Sequence, residues 1–368
     1  MDWFLVITSL LKIVGILFLV ILPMVSYAIY AERKVSAAIQ DRIGPNRVGP
    51  VGLFQPIADM FKLLLKEDFT PRAANTFYYW LAPCLAVMPA IITIAVVPFG
   101  STLLGVPMVI ADVNVGILFV FAIASLGVYG IVIGGWASNS KYPFLGGIRS
   151  SSQMLSYELS LGLAVIPVFL LVGNLRLTRV VRYQIEHGWL ITPFVGDWAN
   201  PWKWLLTIPM LISFLVFTIA IFAETNRLPF DLPEAEQELA GGYNTEYSSM
   251  KFSLFFLGEY AAMITGSAVI ATLFFGGWHL PVPSWHGGFH WAVVDGNAPG
   301  WRGVVGGLFN IATFFTKVTV LIFIFRWVRW TLPRFRYDQL MRLGWLFFFE
   351  IALVNIFIVA AILPFIRP

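Results

Sequence analysis

The apolar residues of this chain gather into eight runs, each long enough to cross a bilayer, and no other feature constrains the fold as strongly. They cover about 3–30, 77–99, 113–136, 151–173, 204–223, 252–276, 304–327 and 343–364. A helix rises about 1.5 Å per residue, so roughly 20 residues span a hydrocarbon core of about 30 Å. Inside lipid every backbone N–H and C=O needs a partner, which leaves only helices and closed barrels. Barrel strands are about 10 residues long and alternate in polarity, whereas these runs are continuous, so they read as helices. Composition agrees that lipid is the main solvent. The chain is 58% hydrophobic and 12% charged, with a mean hydropathy of +0.80, against about 25% charged residues in a soluble domain. The expected fold is an all-α integral membrane protein: one domain over 1–368, a bundle of about eight transmembrane helices. The first run has room for about 40 Å of helix and should tilt or extend into the interface.

The net charge of +4 reads as topology, because the basic residues concentrate on one side. Segments after the first, third, fifth and seventh runs hold Arg33, Lys34, Arg42, Arg47, Lys62, Lys66, Arg72, Lys141, Arg149, Arg227, Lys251, Arg326, Arg329, Arg334, Arg336 and Arg342. The other side holds Arg176, Arg179, Arg182, Lys203, Arg302 and Arg367, a count of sixteen against six. The positive-inside rule then puts both termini outward. Arg176, Arg179 and Arg182 run against that assignment. The first ten residues lack the basic start of a secretory signal, and the first apolar run is too long for one, so cleavage is not expected. The outward segments 175–203 and 277–302 are rich in Trp, Gly and Pro and should lie along the interface.

The single cysteine, Cys84, lies in an apolar run, so this chain can build neither a disulfide framework nor an iron–sulfur ligand set. Its four histidines, His187, His279, His286 and His290, fall in connecting segments, which argues against a haem with paired ligands. No metal site is expected.

Two inward loops, 31–76 and 224–251, carry the polar chemistry. The first begins Glu32-Arg33-Lys34 and continues Arg42-Ile43-Gly44-Pro45-Asn46-Arg47-Val48-Gly49-Pro50, whose glycines and prolines fix turns. After it, Gln55, Asp59, Lys62 and Lys66 recur at helical spacing opposite Ile57, Phe61, Leu64 and Leu65. That pattern predicts an amphipathic helix too short to span. It reads either as a surface anchor or as the polar wall of a cavity for an amphiphile. In the second loop Glu224, Asp231, Glu234, Glu236 and Glu238 are compensated locally only by Arg227. The plain reading is a solvated acidic loop. Against it, Leu228, Phe230, Leu232 and two prolines thread the segment and point to packing. Crowded, partly buried carboxylates gain proton affinity and can pass protons.

Four ionisable residues lie within the runs themselves: Glu158, Glu259, Lys317 and Glu350. Each sits roughly six to nine residues from the inward end of its run, a depth of about 9 to 13 Å, and the four are expected to share one layer. Charges at such depth face a bundle interior or a water-filled cavity and mark ion pathways. Structural ion pairs are the competing reading for any one of them. Lys12 lies nearer the outward side and could snorkel.

These segments carry a resemblance. Residues 52–67 and 229–242 are similar to the two signatures of the H subunit of NADH-quinone oxidoreductase, equivalent to subunit 1 of the mitochondrial enzyme. Arg42 to Pro50, Gly258-Glu259-Tyr260 and the segment 327–341 resemble further hallmarks of that family, and the likeness runs from the first helix to the last. The longer outward segment 175–203 departs from the pattern without touching a candidate site. The resemblance implies a membrane subunit of respiratory complex I that forms the quinone-access chamber and couples quinone reduction to proton pumping. It implies ubiquinone or menaquinone as substrate. FMN, NADH and the iron–sulfur clusters would be held by partner subunits. The implied partners are the peripheral-arm quinone-site and iron–sulfur subunits, small membrane subunits and antiporter-like subunits, in a bacterial inner membrane. Carried onto matching positions, Glu32, Arg33, Arg42, Arg47, Gln55, Asp59, Lys62, Arg227, Phe230, Asp231 and Arg329 would shape the chamber. Glu158, Glu224, Glu234, Glu236, Glu238 and Glu259, with Lys317 and Glu350, would form the proton pathway. Rival readings are the homologous anchor subunit of a membrane-bound hydrogenase, a secondary transporter, and a ligand-free scaffold. A transporter is expected to show repeats and interrupted helices, and neither is evident.

Overall fold

The computed structural model describes residues 3–192, 201–232, 241–280, 283–284, 288–291 and 300–366. Glu234, Glu236 and Glu238 lie outside the described residues. Among the described residues, eight helices are long and apolar enough to cross a membrane, as the runs predict: α1 (Ile7–Ile39), α3 (Thr76–Val96), α4 (Gly116–Ala137), α5 (Lys141–Val172), α7 (Trp204–Glu224), α8 (Ser249–Phe274), α9 (Trp301–Thr331) and α10 (Tyr337–Phe365). Between them, among the described residues, lie two shorter α-helices, α2 (Gln55–Leu65) in the first inward loop and α6 (Leu177–His187) on the outward side. The outward connections also form two small antiparallel hairpins, β1 (Thr102–Leu103) with β2 (Val106–Pro107), and β3 (Pro283–Ser284) with β4 (Gly288–Trp291). Lys12, read as able to snorkel toward the outward side, donates to the Val109 carbonyl of the outward connection at 3.0 Å.

α1, α5, α9 and α10 each extend well past their apolar runs at one end. The inward extension of α5 holds Pro143, Gly146, Gly147 and Ser150, all buried. Protein rather than lipid surrounds that stretch, so it needs no apolar sequence. Gln153, fully buried, donates to the Ala223 and Phe230 carbonyls at 2.8 and 2.7 Å, tying α5 to the end of α7 and the loop that follows.

α8 is the central post. Every residue from Met263 to Phe274 is buried, the signature of a helix enclosed on all sides. Small residues let its neighbours come close. A Cβ on Gly258 would stand 3.0 Å from the Ala86 carbonyl oxygen of α3, so α8 and α3 touch backbone to backbone. The periphery is apolar and exposed, as at Leu11, Leu19, Leu346, Phe347 and Phe357, which suits contact with lipid or other subunits.

Two spanning helices depart from regular α geometry, where the sequence predicted none. Ile16–Ile21 in α1 and Leu343–Phe348 in α10 are π-helical. In α10 the cause is visible. Tyr157 donates its hydroxyl to the Leu340 carbonyl at 3.0 Å and Ser160 donates to the Gly344 carbonyl at 3.3 Å. Side-chain donors inserted into a helical ladder are a known origin of such widened turns.

Candidate functional site: a buried charge network and its cavity

At the inward end, four chain segments converge on one set of charges. Glu32, on the inward half of α1, accepts a 2.6 Å hydrogen bond from the Tyr260 hydroxyl of α8 and pairs with Arg329 from the last turns of α9. Arg227 stands just beyond α7. Its Nε lies 2.9 Å from Glu259 and its NH1 3.7 Å from Glu32. Its guanidinium also covers the Tyr260 ring at 4.1 Å. The Arg227 side chain is 5% exposed, with Glu259 and Glu32 at 10% and 11%. Such burial is tolerable only because each charge meets an opposite one, and a planar guanidinium serves two carboxylates and a ring face at once.

The loop after α7 holds its arginine by local backbone bonds. The Arg227 N–H donates to the Phe222 carbonyl at 3.1 Å, and the Phe230 N–H donates to the Arg227 carbonyl at 2.8 Å. The Leu228–Pro229 peptide is cis. Phe230 is buried between the rings of Tyr157 and Phe335, at 5.4 and 5.6 Å. It anchors the loop in the core instead of facing an open passage. Asp231 pairs with Arg334 at 3.0 Å. Burial pushes its carboxyl up, opposed by Arg334, Arg329 and Arg227.

The first inward loop forms the amphipathic helix that its sequence predicts. Asp59 accepts from Arg33 of α1 at 2.6 Å and from Gln55 at 3.0 Å, tying α2 to α1. Tyr30 of α1 also donates to the Val51 carbonyl at 2.8 Å. The opposite face, Ile57, Met60, Phe61, Leu64 and Leu65, is exposed. Lys62, Arg42 and Arg47 are exposed too, with Arg42 Nε donating to Gln40 at 2.7 Å. The far end of α2 is fastened to the start of α8. Lys251, 3% exposed, pairs with Asp68 at 3.1 Å, donates to Thr70 at 2.9 Å and lies 4.0 Å from the centre of the Trp80 ring.

Glu259 also reaches a second feature. A cavity of about 110 Å³ lies among α3, α4, α5, α7 and α8, and Glu158, Glu224 and Glu259 all line it. Thr93, Ser125, Thr225, Asn226, Tyr243 and Thr265 add polar groups to walls that are otherwise apolar. At roughly 10–15 Å³ of such space per water, there is room for several.

The single ionisable layer expected from the runs does not hold. Lys317 donates to the carbonyls of Phe275, Gly277 and His279, past the outward end of α8, so it belongs to the opposite half of the bundle from the Glu32 and Arg227 network. Its apolar run stops at residue 327, whereas α9 itself continues to Thr331, which places Lys317 further from the inward end. Glu350 is exposed, facing away from the cavity. Tyr260, Arg326 and Arg334 join the network although the sequence reading does not assign them to the site. Tyr260 and Arg334 lie in the hallmark segments 258–260 and 327–341, and Arg326 has no signal beyond its charge. Tyr260 directly follows Glu259, yet only the fold shows both reaching the same arginine. Arg326, buried on α9, completes the basic wall near Glu32.

Eight spanning helices closed at one end by a buried carboxylate–guanidinium network define a multi-pass membrane protein with an enclosed, titratable interior. The NADH dehydrogenase family matches residues 11–360, and the chain belongs to that family. It is 45% identical over 353 residues to the NADH-quinone oxidoreductase H subunit 1 of Cytophaga hutchinsonii, covering 95% of each chain. It is 48% identical over 336 residues to NADH-quinone oxidoreductase subunit 8 of Rhodothermus marinus, 91% of each. The NADH-quinone oxidoreductase H subunit of Rickettsia typhi is 48% identical over 357 residues, 96% of this chain and 93% of that one.

Proposed function

We propose that this chain is the subunit of NADH-quinone oxidoreductase, respiratory complex I, that admits quinone at the inward face and couples its reduction to proton movement. The observation that carries the reading is Glu259, which pairs with Arg227 in the charge network and also lines the carboxylate cavity. Quinone reduction takes up two electrons and two protons, so the charge beside Glu32, Arg227 and Arg329 changes during turnover. A carboxylate that shares Arg227 must respond by changing its proton affinity, and the cavity offers that proton Glu158 and Glu224 as next acceptors.

In this reading α2 and the surfaces near Arg33, Gln55, Asp59 and Lys62 shape the entry for the headgroup, and apolar faces take the isoprenoid tail. Arg42 and Arg47 stand at its exposed rim. Phe230 and Asp231 fix the loop that would transmit the charge change, and Glu234, Glu236 and Glu238 would extend the acidic surface. The substrate is a ubiquinone or menaquinone. FMN and iron–sulfur clusters reside in partner subunits that dock on the inward face, within a bacterial inner membrane. The deciding experiment is Glu259→Gln in the purified, reconstituted complex. Quinone reduction should fall and proton pumping per electron should fall further. Unchanged pumping in that variant and in Glu158→Gln would overturn the proton path. Saturable photolabelling of 31–76 or 224–251 by a quinone analogue tests the chamber separately.

A further inference from the structure

The cavity stripe on α8 is Phe255, Gly258, Glu259, Ala262, Thr265, Gly266 and Val269. At helical spacing it continues to Thr272, about 4.5 Å beyond Val269 at 1.5 Å per residue, and the helix ends at Phe274. There the stripe meets a cap. Gln184 of α6 donates to the Thr272 carbonyl at 2.9 Å and accepts from the Gly276 N–H at 2.9 Å. The chain turns outward through Gly276 (φ +71°) and Gly277 (φ +53°). A Cβ on Gly276 would lie 2.6 Å from Trp189 Nε1, so the turn is pressed against that indole.

This turn folds its carbonyls around one ammonium. Lys317 of α9 donates to Phe275 O at 2.7 Å, Gly277 O at 2.9 Å and His279 O at 2.5 Å, which uses all three of its N–H donors. Its Nζ stands 4.8 Å from the centre of the Trp189 ring. Among the described residues no carboxylate pairs with it, in contrast to Arg227 and Arg329 at the other end of the bundle. The backbone dipoles hold the side chain in place while leaving its positive charge uncompensated by any carboxylate among the described residues, beyond the outward end of the cavity stripe.

We propose that Lys317 is the outward electrostatic seal of the carboxylate cavity, a positioning residue whose charge keeps protons from leaving past the end of α8. Fixed positive charge and oriented helix ends exclude protons and cations from narrow membrane passages by the same physics. The proposal rests on the proton-coupled reading above, but its test does not need turnover. An apolar plug would fill the same space without repelling a proton, so charge and packing are separable by substitution.

The test uses the whole complex in proteoliposomes with no electron donor present, and follows decay of an imposed pH gradient. Lys317→Gln keeps a hydrogen-bond donor and removes the charge. It should speed decay about tenfold, the scale set by one unit charge about 10 Å from the path at an effective dielectric near 20. Lys317→Arg should decay like the unmodified complex. If Lys317→Gln does not assemble, Gln184→Glu decides, since it sets a carboxylate beside the cap and should also leak. A sealed membrane in whichever of the two assembles overturns the proposal, as does an equal leak from Lys317→Arg. Glu259→Gln reports on pumping alone, so failure of the proton-coupled reading would be seen separately.

Discussion

At its inward half α8 presents Glu259 and Tyr260 to guanidinium groups from other segments, whereas its outward turn offers only backbone oxygen to the Lys317 ammonium. Both ends bury charge in a lipid-embedded bundle. The inward end balances it with opposite charge, so each member's proton affinity depends on its neighbours. The outward end balances it with peptide dipoles, which carry no exchangeable charge. One arrangement can register a passing proton or electron through its neighbours, and the other has no neighbouring carboxylate, among the described residues, through which to do so.

The comparison breaks most directly at Arg227. Arg227→Ala leaves Glu32 and Glu259 short of a shared partner, and removing one member of a buried pair costs about 3–5 kcal/mol. Thermal unfolding of the complex should show the loss together with a collapse of quinone reduction. Arg227→Lys should recover only part, because an ammonium cannot serve two carboxylates in one plane. Wild-type stability in Arg227→Ala would mean that the network is not the inward keystone.

Lys251 is an intermediate case, an ammonium with both a carboxylate and a hydroxyl partner. Lys251→Met should cost about 1–3 kcal/mol and raise amide hydrogen exchange across residues 63–70, where Ser249 donates to the Leu63 carbonyl at 3.0 Å. Unaltered exchange there would show that α2 is held to α8 by other contacts.

The two ends should respond to pH with opposite sign. His279 is buried, and burial with the nearby Lys317 charge lowers its pKa from 6.5 to about 4. The unfolded state therefore binds more protons between those values, and stability of the outward turn is lost as pH falls from about 6.5 toward 4. Exchange of the Gly277 and His279 amides, which donate to Ala271 and Gly276 at 2.9 Å, should accelerate over that window. Flat exchange would contradict a neutral, enclosed His279. Asp231 gives the smaller effect. Its raised carboxyl makes the folded state bind more protons just above the ordinary value of 3.8, so its contribution weakens as pH rises through that range. Asp231→Asn should flatten this part of the unfolding profile, and an unchanged slope would assign the titration to another group.

Much of the fold was legible because lipid imposes a simple code: an apolar run of sufficient length becomes a spanning helix. α2 was legible for a related reason, since Gln55, Asp59 and Lys62 repeat at helical spacing against an apolar face. The code fails where protein replaces lipid as the neighbour. The polar start of α5 is helical although its sequence is not apolar, because Pro143, Gly146, Gly147 and Ser150 are buried against protein. The site was legible as a set of residue types and not as a set of distances. Glu259 and Arg227 stand out as charges, but their partnership depends on how α7, α8 and the loop between them return to one point. Lys317 was misplaced for the complementary reason: depth measured along one helix says nothing about which end of the next helix it meets.

The widened turn in α10 has a consequence for reading faces from sequence. From Leu340 the inward-facing positions fall at Gly344, Phe348 and Ala352, four apart each time, and then at Asn355, Val359 and Ile362. Three steps of four overshoot three turns of an ordinary helix by about 120°, since each residue advances about 100°. The Leu343–Phe348 turn absorbs most of that phase error, which lets Asn355 donate to Pro209 O at 3.0 Å and Ser213 Oγ at 2.8 Å. Glu350 thereby rides on the outer flank of α10, and a one-residue deletion within 343–348 would rotate the helix beyond it out of register with α7.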